Sequence, residues 1–192
     1  MSRLDVIPPD DMPEKRRALY DQMLEGREPA EPGRIGGPFD AWSLNPSIGR
    51  RIWQLGGAVR FRPSIDRRYI ELAILMTGQL WQAQFEWFAH EPMARDAGLP
   101  EEVIRSVHVG GQPTFADSDD DGGDETCWRF CRRLLDRDEV GDELYAAARA
   151  RFGEAGVADL VHTCGFYSLV SMTLNTFAVR LPDGETPPFP AS

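Results

Sequence analysis

Apolar residues recur along most of this chain at spacings of three and four, the period that gathers side chains on one face of an α-helix. The densest such stretch runs from Arg62 to Pro100. From Tyr69 to Met76 every residue except Glu71 is apolar, the pattern of a helix buried on most of its sides. Ser64, following Pro63, is placed to cap this helix, and Asp66 to lie in its first turn, where negative charge suits the helix dipole. Thr77 and Gly78 are expected to weaken it. A second helical run then carries Trp81, Phe85, Phe88 and Ala89, with Gln82, Gln84, Glu86 and His90 interleaved. Gly98 closes it as a C-cap residue.

The same reading places helices elsewhere. Met12 to Leu24 forms one, capped by Asp10 or Asp11 with Pro13 in its opening turn. A Gly- and Pro-rich loop over 26–38 carries Arg27 and Arg34. Phe39, Trp42 and Leu44 form an apolar knot of about one helical turn. Asn45 caps the next helix, with Pro46 at its first position and Ile48, Ile52, Trp53, Leu55 and Val59 as the expected buried stripe. Pro100 opens a short helix ending near His108, read as a capping or surface residue. Asp124 is placed to cap a helix over Thr126 to Arg137. Two more follow, Asp142 to Phe152 and Val157 to Val179, separated by a break at Gly153 to Gly156. His162, in the last helix, is expected as a core histidine. No alternating strand pattern and no Gly-rich phosphate loop occurs in the sequence. The expected fold is all-α, a bundle of seven or eight helices forming one domain over 1–192, with an arm over 1–10 and a Pro-rich tail over 181–192.

Candidate chemistry concentrates in the central stretch. Glu86 and His90 are four residues apart and share a helix face. A carboxylate beside an imidazole fixes its tautomer and raises its basicity, which makes a workable acid–base unit. Glu71 is a carboxylate inside an otherwise apolar run, where burial raises a pKa. The alternative for each is plain: an exposed Glu–His contact, and a glutamate paired with an arginine.

The stretch RRYIELAILMTG followed by FEWFAHEPMARDAGLPEEVI resembles the carboxymuconolactone decarboxylase family, which includes the alkylhydroperoxidase D branch. The resemblance covers roughly 37–107. It implies an all-helical fold and a homo-oligomer, commonly a trimer or hexamer, with the site near a subunit interface. Glu71 falls at the family's glutamate and His90 at its histidine. In the alkylhydroperoxidase branch a CxxC pair precedes that histidine, and the matching positions here are Ala83 and Glu86. The chain thus resembles the thiol-free members. On this resemblance the expected catalytic residues are His90, Glu86 and Glu71. An arginine, Arg68 or Arg62, would bind a substrate carboxylate. The apolar knot of Phe39 and Trp42, beside the central helices, is placed either to wall the pocket or to fill core. The implied activity is a cofactor-free decarboxylase-like reaction on a small carboxylated lactone or oxo-acid. Peroxidase-like redox chemistry and non-catalytic binding of a small molecule are the alternatives.

Composition narrows the partners. The formal net charge of −10 over 192 residues argues against nucleic acid and against an anionic membrane surface. No run is expected to span a bilayer, and the N-terminus lacks the charged-then-apolar pattern of a signal peptide, so the expected location is cytoplasmic. Cys127, Cys131 and Cys164 have no metal-ligand spacing and read as packing residues, with a redox role as the minority view. The acidic stretch FADSDDDGGDE does not match the EF-hand spacing and reads as a solvated loop, so no metal is expected.

Overall fold

The computed structural model describes residues 2–26, 28–115 and 122–190. Most of the acidic stretch, 116–121, and Arg27 lie outside the described residues, and the loop readings made for them are untested there. Among the described residues there are eight α-helices: α1 (Glu14–Leu24), α2 (Phe39–Ser43), α3 (Pro46–Phe61), α4 (Arg67–Leu80), α5 (Gln84–Asp96), α6 (Glu101–His108), α7 (Gly123–Asp136) and α8 (Asp142–Thr176). The fold is all-α, as the periodicity implies.

α4 is the post around which the others stand. All residues from Tyr69 to Gly78 are buried, and α4 packs against α5, α6, α7 and α8. On one side Leu72, Leu75 and Met76 join Ile104, Phe130 and Leu160. On the other, Ile70 and Ile74 join Leu19, Met23, Phe166 and Tyr167. Each such side chain contributes about 1.5–3 kcal/mol by leaving water, which is why one helix can organise two clusters.

Several boundaries differ from the sequence expectation. Asp10 and Asp11 sit in a 3-10 turn, Pro9–Asp11, and Pro13 is the N-cap of α1. Proline holds the residue before it extended, and Met12 (φ −72°, ψ 139°) is extended, so α1 starts only after Pro13. Asp66, rather than Ser64, caps α4 by accepting the Arg68 N–H at 2.8 Å. Ser64 instead donates its N–H and hydroxyl to Asp159 of α8, both at 2.6 Å. α4 runs on through Thr77 and Gly78 to Leu80. The Thr77 hydroxyl bonds the Ala73 carbonyl at 2.8 Å, and the chain turns at Gln82 (φ 47°), leaving Trp81 off the second helix. Asn45 caps α3 as expected.

The expected stripe of α3 splits: Ile52, Trp53 and Val59 pack against the core, half-buried, while Ile48 and Leu55 face outward. Ile48 and Leu55 are half exposed, and only Gly49 of this helix is buried. The reason is close approach. A Cβ at Gly49 would collide with the Trp42 carbonyl, and one at Gly56 would lie 2.7 Å from the Phe166 ring. α3 therefore packs through its glycines. α8 is interrupted at Gly153 (φ 71°, ψ 172°), a conformation that suits glycine. By length and composition part of α8 is apolar enough to cross a membrane, contrary to the expectation that no run is, but half of that stretch is buried inside the fold. His162 is exposed rather than in the core.

The tail ends docked rather than loose. Phe189 is buried against Trp87 and stacks on His108 (ring centroids 5.4 and 5.2 Å). Gln84 grips the Phe189 backbone at both N–H and carbonyl, and His108 Nε2 donates to the Pro188 carbonyl at 2.8 Å. His108 is thus a clamp rather than a surface residue.

Candidate functional site

Glu71 lies about one and a half turns from Asp66, the cap of α4, on the side facing α5. The tight turn at Trp81–Ala83 returns the chain antiparallel, so that the first two turns of α5 run beside it. This brings three of the expected residues together. His90 Nδ1 lies 2.7 Å from Glu71 Oε2, and His90 Nε2 lies 3.3 Å from Glu86 Oε1. All three side chains are buried. The other oxygen of Glu71 accepts from Arg67 Nε at 3.3 Å, an i,i+4 pair whose arginine is half exposed.

This arrangement orients the ring. A carboxylate only accepts, so Nδ1 carries the proton that bonds Glu71 and Nε2 is turned toward Glu86. Burial pushes the Glu86 carboxyl up to about 7; the charges of His90 and Arg60 oppose that rise and Glu71 adds to it. Glu86 therefore holds its proton near neutrality, poised for exchange. Tyr167, edge-on to the His90 ring at 5.1 Å, has its phenol pushed up, mainly by burial and then by Glu86.

Glu86 and His90 form part of the wall of a cavity of about 190 Å³. Its apolar surface comes from Phe39, Trp42, Trp53, Phe61, Phe85 and Phe166, and Arg60 and Tyr167 complete the polar part. A chain of rings, Trp42 to Phe166 to Tyr167 to His90, connects α2 to the histidine at centroid separations of 6.2, 5.4 and 5.1 Å. α2 is held in place by Asp40, which accepts the N–H groups of Ile35 and Gly36 at 2.7 and 3.1 Å. Its carboxyl is pushed up by burial, against the pull of those two bonds.

The two arginines expected to bind substrate stand elsewhere. Arg68 pairs with the fully buried Asp124 at 3.1 Å, and Asp124 lies inside the first turn of α7 rather than capping it. Arg62 is the exposed C-cap of α3. Neither lines the cavity. Helix geometry explains this: Arg68 is three residues from Glu71 but points toward α7, while Arg67, four residues away, reaches the carboxylate. Trp42 and Phe39 do line it. Sequence reasoning did not single out Arg60, Trp53 or Tyr167 as site residues. A signal existed for two of them: Trp53, Gly56, Gly57 and Arg60 share one face of α3 at helical spacing, a face of small residues bounded by an aromatic ring and a charge.

No thiol lines the cavity. Cys127, Cys131 and Cys164 are buried on the α6–α7 side of α4, whereas the aromatic rings next to His90 belong to the opposite cluster. Among the described residues no group of three or more His, Cys, Asp or Glu is arranged to hold a metal ion.

No protein-family model matches the chain, and no curated protein matches it by sequence. Solved structures do match. One is the crystal structure of an alkylhydroperoxidase AhpD core, an uncharacterized peroxidase-related protein from Ralstonia eutropha JMP134, with a TM-score of 0.71 and 18% identity over 95% of this chain and 93% of that one. A second is an uncharacterized peroxidase-related protein from Silicibacter sp. TM1040, with a TM-score of 0.70 and 12% identity over 93% of this chain and 91% of that one. This chain shares their all-helical fold.

Proposed function

We propose that the protein is an acid–base enzyme of the AhpD-like fold that moves a proton at a carbon of a small unsaturated substrate held in the aromatic cavity. The observation that carries this reading is the buried Glu71–His90–Glu86 line, with the last two members facing that cavity. Glu71 accepts from Nδ1 and holds the ring. One proton is shared between Nε2 and Glu86, which can pass it to substrate and recover it.

The finer form, following the sequence resemblance, is decarboxylation of a carboxylated lactone or oxo-acid. The C–CO2 bond breaks, its electron pair moves into the conjugated carbonyl as a dienolate, and the His90–Glu86 pair delivers a proton to the carbon. Turnover of a panel of such acids in deuterated water tests it. One deuterium at the former carboxyl carbon is expected, with loss of at least about 100-fold in rate for His90→Gln. Turnover that is indifferent to His90→Gln would refute the assignment.

Peroxide reduction is the second reading, favoured by the description of the structural neighbours as peroxidase-related. It requires two electrons, which a thiolate supplies by becoming a sulfenic acid. The thiols of this chain lie away from the cavity, so that reading needs one of them to be reached from behind α4.

A further inference from the structure

Building on the reading of the cavity above, we propose that Arg60 is the receptor for a negatively charged oxygen group of the ligand. The cavity would then select a small, flat monocarboxylate, an aromatic or conjugated acid.

Three observations meet at this residue. First, the buried Nε of Arg60 has no hydrogen-bond partner among the described residues, and neither does the buried Nε1 of Trp42 in the same cavity wall. A buried donor left unpaired is costly, so two of them in one wall mark a place where an acceptor belongs. Second, the guanidinium has only soft company in direct contact, although its charge is felt by Glu86. One terminal nitrogen lies 2.8 Å from the Met93 sulfur, and the group stands 5.0 Å from the centre of the Phe61 ring. No carboxylate lies within ion-pair distance of it among the described residues, whereas Arg67 and Arg68 have Glu71 and Asp124. A planar fork of this kind matches a carboxylate. Third, the remaining walls are aromatic and the volume of about 190 Å³ has room for roughly ten non-hydrogen atoms. Among the described residues, a second charge on the ligand would find no cationic partner in the lining, where Arg60 is the one basic side chain besides His90.

The position also fits the chemistry. Arg60 comes from α3, while Glu86 and His90 come from α5, so an anchored carboxylate would present the body of the ligand to the proton-carrying pair.

The test is calorimetric titration of the full-length protein with benzoate and with its neutral isostere benzamide. Benzoate is expected to bind at least about tenfold more tightly than benzamide. Arg60→Met should remove that preference and Arg60→Lys should restore part of it, a graded rescue that a purely structural role would not produce. Equal affinity for the two ligands, no binding of benzoate, or unchanged benzoate affinity in Arg60→Met would overturn the inference. Circular dichroism confirms that each variant is folded. Binding is read without turnover, so it stands or falls separately from the acid–base reading.

Discussion

His90 Nδ1 and Glu71 Oε2 lie 2.7 Å apart although the residues are nineteen positions apart and on different helices. The contact joins α4 to α5 and sets which nitrogen of the ring faces Glu86. Removing the carboxylate leaves a buried imidazole N–H with no acceptor and a void beside it. Glu71→Ala is therefore expected to cost about 3 kcal/mol in chemical denaturation. Glu71→Gln should cost less, because the amide oxygen can still accept from Nδ1. Its proton-transfer rate should nevertheless fall by about tenfold or more, since a neutral amide stabilises the imidazolium less well. Equal stability of Glu71→Ala and wild type would show that the contact does not hold the helix pair.

Glu86 gives a pH dependence of definite sign. Its folded-state pKa is raised from 4.5 to about 7. Below 4.5 both folded and unfolded chains keep the proton. Between about 4.5 and 7 the unfolded chain releases it while the folded chain retains it, so the stability from this group falls as pH rises. The loss is complete above about 7 and amounts to something on the order of 3 kcal/mol at most. The charged groups facing it are His90 on α5, Glu71 on α4 and Arg60 on α3. Denaturation midpoints measured across this window should fall more steeply for wild type than for Glu86→Gln. Parallel curves would remove Glu86 as the titrating group.

Much of this was legible in the chain. The all-helical fold follows from the 3.6-residue period, and the near-continuous apolar run from Tyr69 to Met76 marks the helix that other helices surround. The i,i+4 spacing of Glu86 and His90 put them on one face. What the spacing did not carry was direction. Neither Arg67 nor Arg68 announces which will reach Glu71, because that depends on where α7 brings Asp124, a residue far away in sequence. The stripe of Ile48 and Leu55 misled because Gly49 and Gly56 allow a closer approach than any larger residue, and the tighter packing turned the glycine face inward. Arg60 was passed over because its face, shared with Trp53, Gly56 and Gly57, lacks the run of large apolar residues that marks a buried stripe. Only folding brings that face and His90 to one cavity.

Phe189 tests whether the tail is structural. It is 4% exposed, lies between Trp87 and His108, and has both backbone groups bonded to Gln84. Gln84 opens the helix that carries Glu86 and His90. Phe189→Ala should cost about 3 kcal/mol, a fall of roughly 6–12 °C in Tm for a chain of this length. Phe61→Ser, at a side chain 73% exposed, should change Tm little. Amide exchange in the first turn of α5 should quicken in the Phe189 variant. Unchanged exchange there would mean that the tail is held by α5 without supporting it.

The three thiols separate the two catalytic readings. Cys127, Cys131 and Cys164 are buried, and hydrogen bonding to a neighbouring thiol, followed by burial, pushes Cys131 and Cys164 well above the usual thiol range. A thiol held protonated is a poor nucleophile toward peroxide, because the thiolate is the reactive form. The native protein is therefore expected to show no fast-reacting thiol with a disulfide reagent and all three once denatured. If the acid–base reading holds, replacing all three by alanine lowers stability by a few kcal/mol through lost packing but leaves the His90-dependent rate within about threefold of wild type. The alternative has a different signature: a rate that requires Cys131 or Cys164 and a thiol that titrates in the native protein. That outcome would place the chemistry behind α4 and make His90 a structural partner of Glu71.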